Sequence, residues 1–155
     1  MKFSVNQQVL QKSLGYCQGV IEKRSTLPIL SNVMLEINSG HLTITATDLD
    51  LIFIHKISNV EILEEGKTTT SSSIMYDIVR KISSGSKISL SNPSENKLQL
   101  ESEKSIFNLN CISASEFPLT DENFNQNEFS MHSKYLLKLL TVSYTHLTLP
   151  TTPYV

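Results

Sequence analysis

Apolar and polar positions recur along the chain with two different periods, and the first segment shows both. Phe3 and Val5 alternate with polar neighbours and predict a short strand, after which Asn6 can cap a helix. At about 100° per residue, the next apolar residues and the small residue Ser13 fall on one side of a helix. They are Val9, Leu10, Ser13, Leu14, Cys17, Val20 and Ile21. The pattern therefore predicts an amphipathic helix with one buried face.

A set of strands is predicted after this helix. Leu27 precedes Pro28, which disfavours a helical conformation at Leu27 and so ends the helix. Alternation then predicts two strands, over residues 33–37 and 42–46, and a further apolar run over residues 51–57 predicts a third. Ser39 and Gly40 indicate a tight hairpin turn between the first two of these strands. Residues 64–67 indicate a further turn.

The same order then begins again. Residues 67–70 are a strand candidate, and the serines at 71–73 offer N-caps for a second helix. The buried face of that helix is predicted from an apolar arc: Ile74, Met75, Ile78, Val79 and Ile82. Ser84 and Gly85 are expected to end it. Three more strands follow, over residues 87–91, 97–102 and 105–112, with a turn at residues 92–94.

The order strand–helix–strand–strand–strand thus occurs twice in residues 1–112, with a period of about 65 residues. This repeat predicts an α+β fold in which a duplicated module supplies antiparallel strands and two helices. We expect the first domain to span residues 1–118 and a linker to span residues 119–127. Residues 128–140 begin the cycle a third time and predict the start of a truncated second domain.

Residues 141–155 depart from this pattern. They contain five threonines, two prolines and no charged side chain. We expect the helix predicted near Leu140 not to continue into them. The segment resembles translated read-through of sequencing adapter, which predicts that it is not native sequence.

Composition limits the class of protein. The chain of 155 residues is 39% hydrophobic and 18% charged, as expected of a globular protein that buries a core without metals or disulfides. Its formal net charge of −2 provides no general attraction to nucleic acid or to acidic membranes. No stretch approaches the roughly 20 apolar residues of a membrane span, and the N-terminus lacks the apolar core of a signal peptide. We therefore expect a cytoplasmic protein without membrane contact.

The basic residues are placed less evenly than the net charge suggests. Each predicted helix carries some of them on or near its polar side: Lys12, Lys23, Arg24, Arg80, Lys81, Lys134 and Lys138. Many acidic residues fall instead on predicted strands and loops. If the helices line one surface, that surface is positive and suits contact with phosphates rather than base edges. Solvated helix faces without a ligand remain the alternative at this point.

Groups that carry catalytic or metal chemistry are sparse. Asp48 and Asp50 lie two residues apart, and no third ligand accompanies them, so a turn stabilised by Asp48 is the favoured interpretation. Cys17 and Cys111 fall in apolar patterns and are expected to be reduced and buried. Histidines occur singly, at positions 41, 55, 132 and 146. We expect no catalytic site, no metal and no cofactor.

Four segments together resemble the N-terminal domain of bacterial replicative sliding clamps, the beta subunits of DNA polymerase III. They are MKFSV at residues 1–5, RSTLPILSN at residues 24–32, TDLD at residues 47–50 and ASEFP at residues 114–118. The opening segment and the TLPIL block are the most specific, because their spacing from the first residue also fits. The resemblance extends over residues 1 to about 140.

The resemblance implies a fold and a role. Each clamp domain is expected to hold two helices on one face of antiparallel sheets, with the helices on the inner wall of a ring. Three domains per chain and two chains are expected to form a closed homodimeric ring around double-stranded DNA. Such a ring is a processivity factor of DNA replication that tethers the replicative polymerase without regard to DNA sequence. It is a non-catalytic subunit.

The resemblance also assigns roles to particular residues. Arg24 matches a position that contacts DNA phosphates, and Lys12 and Lys23 extend that basic face. The second basic position of the family is occupied by Ser73 here, which weakens the expectation of a contact there. The subunit interface is expected to involve one further set of residues: Ile78, Ile82, Phe107, Leu109, Arg80 and Lys104.

The extent of the chain qualifies these expectations. The resemblance stops in the first helix of the second domain, so the domains that close the ring and bind the polymerase and the clamp loader are expected to be absent from this chain. Two alternatives stay open. One is a small-molecule enzyme that uses Asp48 and Asp50 in a concave pocket. The other is a protein-interaction module with an exposed apolar edge at Phe107 and Leu109.

Overall fold

A computed structural model describes residues 1–21, 27–103, 105–118 and 130–145 of the chain. The chain divides into two compact units, Met1–Leu119 and Thr120–Val155. The first half of the first unit contains β1 (Lys2–Asn6), α1 (Gln7–Cys17), a 3-10 turn (Pro28–Ser31), β2 (Asn32–Asn38), β3 (His41–Thr47) and β4 (Ile52–Ile57). The second half contains β5 (Val60–Glu64), β6 (Gly66–Ser71), α2 (Ser72–Lys81), β7 (Lys87–Ser94), β8 (Lys97–Ser102), β9 (Ser105–Asn110) and a 3-10 turn (Ala114–Glu116). In the second unit, the described residues form α3 (Ser133–Thr145).

The strands of the first unit form two antiparallel sheets. One sheet has the order β5-β1-β7-β8-β9 and the other has the order β4-β3-β2-β6. The first strand of each repeat therefore pairs with the sheet of the other repeat. Phe3 in β1 lies opposite Leu90 in β7, and Val33 in β2 lies opposite Thr70 in β6. This exchange ties the two modules into one domain and confirms the duplicated α+β fold.

One apolar core joins both sheets and both helices of this unit. It contains Phe3 and Leu90 from the first sheet, Leu35 from the second, Leu14 from α1 and Met75 from α2, all with essentially no exposed surface. Such a core is the main stabilising contribution to a domain of this size. It also fixes the helices on one side of the strands, so that their polar faces point away from the sheets.

Local chemistry explains where several elements begin and end. The Asn6 side chain accepts a hydrogen bond from the backbone N–H of Gln8 at 2.9 Å, as expected of an N-cap. Ser39 and Gly40 both have positive φ, at 51° and 81°, so the β2–β3 hairpin closes through the predicted tight turn. Leu27 is extended in front of Pro28.

The structure differs from the predicted elements in four respects. β5 was not predicted, because its two glutamates and exposed Leu63 weaken the apolar pattern and its pairing with β1 is long-range. β7 continues through the predicted turn at residues 92–94, because an irregularity in register between Ser91 and Ser94 accommodates Pro93. Both helices of the first unit are shorter than predicted. α2 ends at Lys81 with Ile82 extended, and α1 ends at Cys17, so that Val20 and Ile21 lie beyond it, after Gly19, which has low helix propensity.

The fourth difference concerns α3, which continues to Thr145 instead of ending near Leu140. The Thr141 hydroxyl donates a hydrogen bond to the Leu137 carbonyl at 2.8 Å, which satisfies this polar side chain within the helix. Threonine and valine lower helix propensity only modestly, so they do not stop a helix that has already formed. Residues 146–155, the rest of the segment predicted to be non-native, lie outside the described residues.

Candidate nucleic-acid interface

α1 and α2 lie side by side and run in opposite directions. Gln7, at the start of α1, donates to the Val79 carbonyl near the end of α2 at 2.7 Å. Gln18, just after α1, donates to the Ser72 hydroxyl at the start of α2, also at 2.7 Å. These two side-chain amides thus link the helices near both ends of the pair. We call the solvent-facing sides of this pair the helix wall.

Lys12 points outward from the centre of α1. Leu10 and Leu14 are fully buried. Lys12 is two residues from each of them, which corresponds to a rotation of about 200° around the helix axis. Lys12 therefore projects away from the core, and its side chain is exposed. Among the described residues it makes no ion pair, so its ammonium group is available to a ligand.

α2 adds both charges and a substituted position to the helix wall. Arg80 and Lys81 are exposed in its last turn, where cations also interact favourably with the helix dipole. Asp77 is exposed one turn earlier and pairs with Arg80 at 3.2 Å. Ser73, at the position where the resemblance predicts a basic residue, is also exposed. It supplies a hydroxyl and no charge.

Charge in the first unit is segregated between the two helices and the rest of the domain, where most acidic side chains lie in turns and connecting segments. Within the described part of this unit, α1 and α2 carry three basic side chains and one acidic side chain, as named above. The strands, turns and connecting segments carry five basic side chains: Lys2, Lys56, Lys67, Lys87 and Lys97. The same segments carry ten acidic ones: Glu36, Asp48, Asp50, Glu61, Glu64, Glu65, Glu95, Glu101, Glu103 and Glu116. A molecule with a net negative charge therefore presents a positive helix wall.

Three of the residues with assigned roles cannot be placed. Lys23 and Arg24, predicted to contact DNA, and Lys104, predicted at the subunit interface, lie outside the described residues. Ile21, half-buried against the core, is the last described residue before the first two. Their predicted roles therefore depend on the sequence alone.

The predicted subunit interface lies at the β9 edge. Within the described residues, β9 pairs only with β8 and so lies at an edge of its sheet. Phe107 on β9 lies opposite Leu100, and its ring is half-buried. Leu109 is only 5% exposed and belongs to the core, so the expectation of an exposed apolar edge at this residue was wrong. Alternation along β9 places Ile106 on the opposite face, where it is 60% exposed. Sequence analysis missed Ile106, although the same alternation identifies it.

Ile78 and Arg80 lie on different sides of α2. Ile78 is half-buried against the core, as is Ile82 just after the helix. Arg80 is two residues from Ile78, which corresponds to about 200° around the helix. Its guanidinium lies 5.8 Å from the centre of the Tyr76 ring, and Tyr76 packs toward Gly15 of α1. Arg80 thus belongs to the helix wall, across the helix from the apolar residues with which it was grouped.

The two aspartates of the TDLD segment form a turn. The Asp48 carboxylate accepts hydrogen bonds from the backbone N–H groups of Asp50, at 3.1 Å, and Leu51, at 2.7 Å. This leaves Asp48 committed to local structure, as predicted. Among the described residues, no three acidic, histidine or cysteine side chains are grouped so as to bind a metal ion.

We predict that Asp48→Ala destabilises the domain by about 1 kcal/mol, because two backbone donors lose their acceptor. Chemical denaturation followed by circular dichroism measures this difference. Asp50→Ala is the matched control, since the Asp50 carboxylate accepts no hydrogen bond among those found in the described chain, and it should change stability by less than about 0.5 kcal/mol. An equal loss in both variants would contradict the assigned role of Asp48.

None of the described helices combines the length and apolarity needed to cross a membrane.

The fold places the first unit in the class of DNA-clamp domains. Two solved structures of that class superpose on the chain. The Caulobacter crescentus polymerase III beta structure gives a TM-score of 0.88 at 31% identity, covering 99% of this chain and 42% of that one. The Pseudomonas aeruginosa DNA polymerase III subunit beta gives a TM-score of 0.86 at 29% identity, covering 91% of this chain and 38% of that one.

Sequence comparison identifies the family. The family described as "DNA polymerase III beta subunit, N-terminal domain" matches residues 1–121, and the chain belongs to this family. The beta sliding clamp of Caulobacter vibrioides is 33% identical over 141 residues, and that of Escherichia coli K12 is 32% identical over 140 residues. Each alignment covers 90% of this chain and 38% of the relative, so the chain spans well under half the length of these curated relatives.

Proposed function

We propose that this chain is part of a ring that encircles duplex DNA and keeps the replicative DNA polymerase on its template. The observation that supports this proposal is the helix wall, where two antiparallel helices present cations on a domain whose described strands, turns and connecting segments together carry twice as many acidic as basic side chains. Family membership adds the context of a sliding clamp. The role is non-catalytic: the ring acts by topology, so that weak contacts with phosphates suffice.

The chemistry of the helix wall suits sliding. Lys12, Arg80 and Lys81 are exposed cations on helices, and side chains of this type reach phosphates. Contacts of this kind attract any duplex and depend on salt, because each one releases counterions from the phosphates. A clamp that moves along DNA requires attraction of this sequence-independent type. Arg24 and Lys23 are proposed to extend the same surface.

The β9 edge is proposed as the joint with the next subunit of the ring. An edge strand has unpaired backbone groups that another strand can complete. Phe107 on β9 and Ile78 and Ile82 at α2 are half-buried apolar residues, and Ile106 adds exposed apolar surface on the outer face of the sheet. A homodimeric ring uses such an edge once per subunit. Binding of the polymerase and clamp loader is proposed for parts of the whole protein that this chain does not span.

We predict that Lys12→Gln weakens the association of this chain with duplex DNA and lowers its salt dependence by about one unit in log K against log [salt]. Fluorescence anisotropy of a labelled 20-base-pair duplex, titrated with protein at several low NaCl concentrations, measures both quantities. Non-specific dissociation constants of roughly 10⁻⁴–10⁻⁶ M at physiological salt make low salt necessary.

Lys97→Gln is the matched control for this experiment. Lys97 is an exposed lysine at the start of β8, on the sheets rather than on the helix wall. The Lys97→Gln variant loses the same charge, and we expect the salt dependence of its DNA binding to equal that of the unmodified chain. Equal effects of both substitutions would show that DNA responds to overall charge and not to the helix wall.

A further inference from the structure

Arg80 is held in a defined position on the helix wall. Its Nη2 lies 3.2 Å from the Asp77 carboxylate, and its guanidinium lies over the face of Tyr76. An ideal Cβ placed on Gly15 would lie 3.6 Å from Cε2 of Tyr76, so the ring sits between the two helices. A cation over an aromatic face is attracted by the ring quadrupole. The arrangement directs Arg80 toward α1 and toward solvent.

Arg80 shares a face of α2 with Ser73. Seven residues separate them, which corresponds to nearly two full turns and about 10 Å along the helix. Ser73 is the position on which the sequence resemblance predicts a cation and where this chain has none. Arg80 therefore supplies a positive charge on the same side of the helix, two turns away.

The ion pair with Asp77 leaves most of Arg80 available. The two side chains are 55% and 58% exposed, so their attraction is screened by water and the pair is readily exchanged. A guanidinium has five N–H donors in a planar fork that matches a phosphate. Phosphate oxygens and the Asp77 carboxylate compete for the same group. Asp77 also places a negative charge on the surface that phosphates approach.

We propose that Arg80 is a phosphate-contacting residue of the helix wall and that Asp77 competes with DNA for it. The ligand is the backbone phosphate of duplex DNA, and Asp77 lowers the strength of the contact. This proposal rests on the DNA contact described under the proposed function and adds a residue and a competitor to it. Asp77 would thereby keep the contact weak enough for a duplex to slide.

A double-mutant cycle tests this proposal with the same labelled 20-base-pair duplex. The chains compared are the unmodified one, Arg80→Gln, Asp77→Asn and the double variant. We expect Arg80→Gln to lower the salt dependence by about one unit. We expect Asp77→Asn to tighten binding about two- to fivefold, the range for loss of an exposed ion pair. In the Arg80→Gln background, Asp77→Asn should have a clearly smaller effect, because only the direct repulsion between Asp77 and the phosphates is then removed.

The control variant is Glu101→Gln, which removes an exposed acid from β8. If it tightens binding as much as Asp77→Asn does, or if Asp77→Asn acts equally with and without Arg80, Asp77 acts only through overall charge and the proposal fails. An unchanged salt dependence in Arg80→Gln also overturns it. Circular dichroism spectra establish that each variant keeps the fold.

The DNA contact of the helix wall and the role of Arg80 would be contradicted by different results. If Lys12→Gln weakens DNA association and Arg80→Gln does not, the helix wall still contacts DNA and only the role of Arg80 is rejected. If the unmodified chain shows no salt-dependent association with the duplex, the proposed DNA contact itself is rejected. The cycle and the Lys12 experiment therefore separate the two proposals.

Discussion

Leu14→Ala should destabilise the first unit by about 2–5 kcal/mol. Leu14 has no exposed surface and packs α1 onto a core shared by both sheets. Truncation removes buried apolar atoms and leaves a cavity that the surrounding strands fill only in part. Because domains are stable by only about 5–15 kcal/mol, this change should shift the urea midpoint strongly. It also loosens the attachment of the helix that carries Lys12.

Leu63→Ala provides the matched control, since it makes the same chemical change on β5 at a side chain that is 72% exposed. We expect it to alter stability by about 0.5 kcal/mol or less. Similar midpoints for the two variants would show that α1 does not depend on this core. The comparison therefore measures how firmly the helix wall is anchored to the sheets.

The Cys17 thiol should react about a thousand times more slowly in the folded chain than in the unfolded one. Burial raises the pKa of Cys17 to about 12 from an ordinary value of 9.0, and a backbone hydrogen bond opposes this shift in part. Thiolate is the reactive species, so at pH 8 its population falls by about three orders of magnitude. Absorbance during reaction with a disulfide reagent, with and without urea, measures the ratio.

Cys111→Ser isolates this signal, because burial also raises the pKa of the Cys111 thiol and both thiols are free. A native rate within tenfold of the unfolded rate would contradict the buried position of Cys17. The same shift in pKa has a consequence for stability. Because the folded state holds the thiol proton more tightly, this contribution is present below pH 9 and is lost as the pH rises toward 12.

The helix wall, the segregated charges and the β9 edge support the proposal that the contacts of this chain with DNA are weak and that a ring of which it is part holds DNA by encircling it. Lys12 contributes an ammonium without an ion pair in the described part of the chain, whereas Arg80 is already engaged by Asp77. The two cations should therefore differ in how strongly they respond to phosphate. This difference is what the variants of Lys12, Arg80 and Asp77 measure.

The sequence by itself determined the elements whose causes are local. Alternation and helical periodicity identified both helices of the first unit and most strands, and Asn6 and the Ser39–Gly40 turn marked ends that depend on neighbouring residues. Pro28 did not mark the end of α1, which lies at Cys17. The repeated order of elements indicated the duplicated fold, and the polar turn at Asp48 followed from side-chain chemistry. In each case a few adjacent residues contain the physical cause.

Only the tertiary structure decided which elements meet. The exchange of β1 and β6 between the sheets pairs residues about 80 to 90 positions apart for β1 with β7 and about 30 to 40 apart for β6 with β2, and no local pattern specifies it. The same long-range packing buries Leu109, which one alternative from the sequence had placed on an exposed apolar edge. It also brings α2 against α1, so that Tyr76, whose ring lies under the Arg80 guanidinium, packs toward Gly15 of α1. Helical spacing could place Arg80 on a side of its own helix, but only packing determines what that side faces.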